Sequence, residues 1–203
     1  MFEMISRSVA RKLYSGNQLI ALGACSAGLK FYYGYPMTPA SSILHYLASI
    51  RDSHEVYSIH AESELAAANM AVGSCFAGKR SAVGSSGGGI ALMQEAFSLC
   101  GITEAPVLFV LSSRPGPATG VSTYTAQEDL YFAINQGHGE FPKIVASPDS
   151  FESAYSLAAE LLELALETQS PAILLNETHL SECSAGVLIA MEKSFDEQSN
   201  PPI

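Results

Sequence analysis

Apolar residues in this chain fall into short, nearly unbroken runs separated by longer stretches of helical periodicity. The clearest run is PVLFVLSS, residues 106–113, apolar almost throughout, as a strand covered on both faces should be. Similar short runs at 30–34, 55–59, 80–85, 143–146 and 171–176 predict further strands. Helix-like stretches at 17–29, 39–50, 64–78, 89–100, 127–135 and 149–168 lie between them. Strands alternating with helices predict an α/β fold: a doubly wound, mostly parallel sheet with helices on both faces. Residues 1–15 read as an N-terminal extension and 16–180 as the domain. The more polar 181–203 reads as a tail, or a linker toward a further domain.

In such a sheet, ligands sit beyond the carboxyl ends of the strands. The segments expected there are YPMTPASS, then Glu62 and Glu64, then SSGGG, then RPGPATGVSTYTAQED. Polar and conformationally special residues therefore gather along one edge. Glu62 and Glu64 stand at the mouth of a helix made mostly of Ala and Gly. Acids there are stabilised by the helix dipole, by about 0.3–1 kcal/mol, and Ser63 is placed to cap. Residues two apart do not share a helical face, so at most one of the pair points into a site. Thr38, before Pro39, suits an N-cap, or else offers a hydroxyl to an anionic ligand. Ser86 suits a strand-to-helix cap, and the glycines after it allow close approach of an anion. Arg114 opens a long loop, where a guanidinium could grip a carboxylate or simply meet solvent. Of the five histidines, His138 alone lies in a glycine-lined turn that could face the site, and it reads otherwise as a satisfied turn residue.

Composition narrows the class. Hydrophobic residues make up 48% of the 203 positions, enough for a sizeable core. The formal charge of −10 argues against nucleic-acid binding, which needs a basic face. No run of apolar residues is long enough to span a membrane. Cys25, Cys75, Cys100 and Cys183 have no metal-site spacing and read as small reduced core residues, as in a cytoplasmic protein.

The ordered segments GNQLIALGACSAGLKFYYGYPMTPASS, ESELAAANMAVGSCFAGKRS, SGGGIALMQEAFSLCGITEAPVL, RPGPATG…QEDL and GHGEFPKIV carry a resemblance. They resemble the pyrimidine-binding domain of 2-oxoacid:ferredoxin oxidoreductase alpha subunits. The resemblance implies the pyrimidine-type thiamine diphosphate-binding fold. It also implies oxidative decarboxylation of a 2-oxoacid, such as pyruvate or 2-oxoglutarate, with coenzyme A and ferredoxin. By position in the motif, Glu64 matches the glutamate that hydrogen-bonds N1′ of the cofactor's aminopyrimidine, with Glu62 its outward neighbour. Thr38 and Arg114 match residues near the substrate carboxylate. Tyr35, Pro36, Ser86, Gly87 and Gly88 match cofactor-contacting positions. The family often has SGPG where this chain has Ser86-Gly87-Gly88-Gly89, and Lys-Pro where it has Tyr124-Thr125.

No GDG motif for Mg²⁺ and the diphosphate occurs, and no CxxC pair for an iron–sulfur cluster. The resemblance therefore implies a beta subunit that supplies the diphosphate site, Mg²⁺ and the cluster, with no metal held by this chain. Two other readings remain open at this point. One is a non-redox, two-chain thiamine diphosphate-dependent oxoacid decarboxylase. The other is a non-catalytic interaction domain of the same fold.

Overall fold

The structure is a computed structural model, and it describes residues 11–188. In chain order its elements are β1 (Lys12–Ser15), α1 (Gly16–Ser26), β2 (Phe31–Gly34), α2 (Ser41–Ser49), α3 (Arg51–His54) and β3 (Tyr57–His60). Next come α4 (Glu64–Phe76), β4 (Ser81–Ser85), α5 (Gly87–Leu92), α6 (Gln94–Thr103), β5 (Leu108–Ser113) and α7 (Leu130–Ile134). The last are β6 (Ile144–Ala146), α8 (Phe151–Thr168), β7 (Ala172–Glu177), α9 (Thr178–Glu182) and β8 (Ser184–Val187).

Six strands form one sheet in the order β3-β2-β4-β5-β7-β6, and every neighbouring pair is parallel. The α/β architecture expected from the apolar runs is thus present. The central strands β4 and β5 are buried at every position, which accounts for their lack of polar alternation. Side chains alternate between the two faces of β5. Leu108 and Val110 join a core with α1, α2 and α8, whereas Phe109 and Leu111 join one with α4, α6 and α7. Helices α1 and α8 come into backbone contact at Gly23, where an added Cβ would lie 2.0 Å from the Tyr155 carbonyl oxygen.

Local chemistry sets the helix starts. Ser15 and Gln18 form a capping box at α1: Gln18 N–H donates to Ser15 Oγ at 3.2 Å and Ser15 N–H to Gln18 Oε1 at 2.9 Å. Ser63 caps α4 by accepting from Ala66 N–H at 3.2 Å.

Several expectations need correction. Helix α2 begins at Ser41 with Ala40 at its N-cap, so Thr38 is not a cap. The carbonyls of Thr38 and Pro39 are taken by distant side chains instead, Arg114 at 2.7 Å and Asn17 at 2.8 Å. Ser86 stands at the N-cap of α5, yet its hydroxyl makes no capping bond. The single helix expected over 89–100 starts earlier and breaks at Met93. There the Gln136 amide donates to the Ile90 carbonyl at 3.0 Å and competes for an acceptor the helix would use. Cys75 and Cys100 are buried as expected, but Cys183 is exposed. The short helix α9 and the antiparallel pair β1–β8 were not expected from sequence. Both strands lie outside the bounds 16–180, and Val187 is buried in the first core. The expectations for residues 1–10 and 189–203 fall outside the described residues. Among the described residues, no helix is long and apolar enough to cross a membrane.

Candidate functional site

The connection from β2 leads to β3 on one side, and that from β4 leads to β5 on the other. A crevice opens beyond the carboxyl ends of strands whose connections diverge in this way, and ligands bind there. The four segments singled out in the sequence all follow β2, β3, β4 or β5, which are contiguous in the sheet.

Glu64 is the first residue of α4 and is 6% exposed, while Glu62 is exposed. The Glu64 side chain leans on the backbone of α5: a Cβ on Gly89 would lie 3.0 Å from Glu64 Cγ and 1.9 Å from Ser85 Oγ. No residue of the chain makes a hydrogen bond or ion pair to its carboxylate among the described residues. The carboxylate oxygens are not among the fully enclosed atoms, so the side chain is packed along its stem while its head stays open to a group from outside the chain. Ser86 Oγ is likewise buried and unpartnered. At Gly88 the ground is open, with only Thr119 Oγ1 within reach of an added Cβ, at 3.7 Å. An unpaired acid, an unpaired hydroxyl and a bare backbone turn converge on one crevice. They fit an aminopyrimidine, which offers both hydrogen-bond donors and acceptors beside a flat apolar ring.

Arg114 lies beside it, 7% exposed, with Nη1 donating to the Thr38 carbonyl at 2.7 Å. This joins the loop after β5 to the loop after β2. Thr38, Tyr35 and Pro36 of that second loop are exposed, with the Tyr35 ring 6.1 Å from that of His60. The structure therefore brings Thr38 to Arg114 and Glu64 to the glycine turn. It does not bring His138 to the site. His138 Nε2 pairs with Glu95 at 2.7 Å on the surface.

Sequence reasoning missed the residues that fasten the loop after β5. Ser113 Oγ donates to Asp129 at 2.6 Å. Asp129 Oδ1 lies 2.9 Å from the position of a Cβ on Gly87, so that glycine lets the loop close onto α5. Thr178 Oγ1 donates to the carbonyls of Ser113 and Tyr124, each at 3.1 Å. The Thr125 hydroxyl donates to Glu177, which also accepts the N–H groups of His179 and Leu180 at 2.7 Å each. Burial works to raise the Glu177 pKa, but hydrogen bonds from Thr125, His179 and Leu180 outweigh it and hold the carboxyl below its usual range. A depressed folded-state pKa stabilises above the unfolded value, and the contribution is lost as pH falls through the folded one. Glu177→Ala should therefore lower the thermal midpoint by about 3 °C at neutral pH, the cost of one cap. The gap to the parent should close below about pH 4. Parallel melting curves from pH 3 to 8 check this, and a constant gap refutes it.

The thiols offer no nucleophile at the site. Burial pushes the Cys25 thiol up to about 12 and the Cys75 thiol up to about 11, and it raises that of Cys100 as well. Among the described residues no group of three or more His, Cys, Asp and Glu side chains could hold a metal ion.

The chain is 38% identical over 188 residues to the alpha subunit of 2-oxoacid:ferredoxin oxidoreductase 1 from Sulfurisphaera tokodaii, covering 87% of this chain and 30% of that one. It is 32% identical to the 2-oxoglutarate synthase subunit KorA of Archaeoglobus fulgidus, over 93% of this chain and 55% of the relative. The solved 2-oxoglutarate:ferredoxin oxidoreductase from Magnetococcus marinus, with 2-oxoglutarate, coenzyme A and succinyl-CoA bound, superposes with a TM-score of 0.82 at 35% identity. That match covers 85% of this chain and 30% of the solved one. The chain thus spans between about a third and a half of the length of these relatives. Residues 22–198 match the family described as "Pyruvate flavodoxin/ferredoxin oxidoreductase, thiamine diP-bdg", and the chain belongs to that family.

Proposed function

We propose that this chain is the pyrimidine-binding part of an alpha subunit of a 2-oxoacid:ferredoxin oxidoreductase. The complex converts a 2-oxoacid and coenzyme A to acyl-CoA and CO₂ with reduction of ferredoxin. The observation that carries the reading is the buried, partnerless Glu64 carboxylate against the Ser85–Gly89 turn. When bound, thiamine diphosphate supplies the carbanion chemistry that 2-oxoacid decarboxylation needs.

The chain's own residues bind, orient and move a proton. Glu64 would share a proton with the aminopyrimidine N1′, its stem held in place by the packing against α5. Ser86, Gly87 and Gly88, with Tyr35 and Pro36 across the crevice, hold the ring. Arg114 and Thr38 hold the substrate carboxylate, the guanidinium fixed by its bond to the Thr38 carbonyl. Relatives are named for 2-oxoglutarate and for ketoisovalerate, so the substrate class stands at the level of a 2-oxoacid.

A partner beta subunit supplies the diphosphate site, Mg²⁺ and the iron–sulfur cluster. The outer side of α4 suits that partner: Leu65, next to Glu64, and Phe76 at the far end of the helix are both exposed, at angular positions that nearly coincide. The free thiols suit the reducing cytoplasm.

Calorimetry and a coupled assay test the reading. Thiamine diphosphate should bind the chain together with its beta subunit, and ferredoxin reduction should require both 2-oxoacid and coenzyme A. No cofactor binding to the pair would leave only an interaction domain. Decarboxylation without ferredoxin reduction would leave a non-redox decarboxylase.

A further inference from the structure

We infer that Asn17 is a positioning residue for the carboxylate-binding pair Thr38 and Arg114, an inference that rests on the function just proposed. Asn17 sits in the first turn of α1 and is wholly buried. One proton of its amide goes to the loop after β2 and the other to the first turn of α2. Nδ2 donates to the Pro39 carbonyl at 2.8 Å and to Ser42 Oγ at 2.7 Å. A proline carbonyl can only accept, so the orientation of the amide is fixed by its partner.

Arg114 donates to the preceding carbonyl, that of Thr38, at 2.7 Å. Two consecutive carbonyls are thus held by two side chains far apart in the sequence. One belongs to the proposed carboxylate binder, and the other belongs to α1. The two carbonyls lie in successive peptide planes that meet at the Pro39 Cα. Because the ring locks φ there, ψ of Pro39 is the one soft torsion between them, so a displacement of one is passed largely to the other.

Asn17 is itself braced. The Asn176 amide donates to Asn17 Oδ1 at 3.4 Å and to Ser181 Oγ at 2.7 Å. Upstream, Gly16 lies so close to α9 that an added Cβ would meet the Leu180 carbonyl oxygen at 2.1 Å. The start of α1 has no room to slide, so the reach of Asn17 is set by the fold rather than by the loop it holds. A buried amide that spans helix, loop and strand in this way does more than fill space: it fixes the distance from the substrate loop to the sheet.

The test uses the assembled enzyme. Asn17→Ala should raise the KM for the 2-oxoacid about tenfold, the scale of one lost buried hydrogen bond. It should change kcat and the thiamine diphosphate Kd less than about threefold, because Asn17 does not touch the Glu64 turn. Amide exchange over 38–42 should quicken. Asn176→Ala leaves the Asn17 protons in place but frees its amide to turn, and should raise KM about threefold. Asn176→Ala serves alone if Asn17→Ala does not assemble. Unchanged KM in the assembled variants, or equal losses in KM, kcat and cofactor binding, overturns the inference. Arg114→Ala is the control for the underlying reading. If it raises KM and Asn17→Ala does not, the inference fails and the function stands. If Arg114→Ala leaves KM unchanged, the assignment of the carboxylate site fails first.

Discussion

Glu64→Gln in the assembled enzyme should lower turnover by on the order of 10²–10⁴-fold, the usual contribution of a placed proton-transfer group. Shape is conserved, and an amide can still hydrogen-bond a ring nitrogen, but it cannot share a proton there. The fold should persist. Ser63 remains to cap α4. Losing a negative charge from the helix start costs about 0.3–1 kcal/mol. Among the described residues, no hydrogen bond or ion pair within the chain is lost with the charge, so that cost is the main one. The thermal midpoint should therefore move by no more than about 3 °C. Cofactor affinity should fall far less than turnover, so calorimetry and steady-state kinetics on one preparation separate binding from proton transfer. Normal turnover in this variant would end the proposed mechanism.

Arg114→Ala should raise the KM for the 2-oxoacid about a hundredfold. Truncating a buried, hydrogen-bonded charge that meets an opposite charge costs about 2–5 kcal/mol, and each 1.4 kcal/mol is tenfold. The Thr38 carbonyl, freed by the change, belongs to an exposed residue and can turn to water, so stability should change little. Arg114→Lys should fall between parent and alanine variant. An ammonium lacks the planar fork that bonds the Thr38 carbonyl and a carboxylate together. Saturation curves for the three proteins, with oxamate as an unreactive competitor, check the order. Equal KM values across the series would remove Arg114 from the substrate site.

How far the sequence revealed this arrangement depends on the range of each interaction. The strand over residues 106–113 was legible because burial on both faces leaves an unbroken apolar run. The site edge was legible because the topology rule places ligands at strand ends, and Thr38, Glu64, Ser86 and Arg114 all follow strand ends. Failures came where a distant side chain overrode a local preference. Thr38 has the right chemistry for an N-cap, but Arg114 and Asn17 hold the carbonyls around it. The stretch 89–100 has the pattern of one helix, but Gln136 reaches the Ile90 carbonyl and a break falls at Met93. Asn17 and Asn176 carry no local mark, since each is an ordinary amide until the fold sets them side by side. Strands β1 and β8 are too short to declare themselves before they meet.

That pairing has an architectural consequence. Lys12 is aligned with Val187 and Ser15 with Ser184, so the polypeptide enters and leaves the α/β layer at adjacent points, about 5 Å apart. The doorway is zipped shut by backbone bonds independent of the parallel sheet. A module closed in this manner can be carried within polypeptides of very different length, like a cassette, with the crevice at the strand ends undisturbed by what is attached at the hinge.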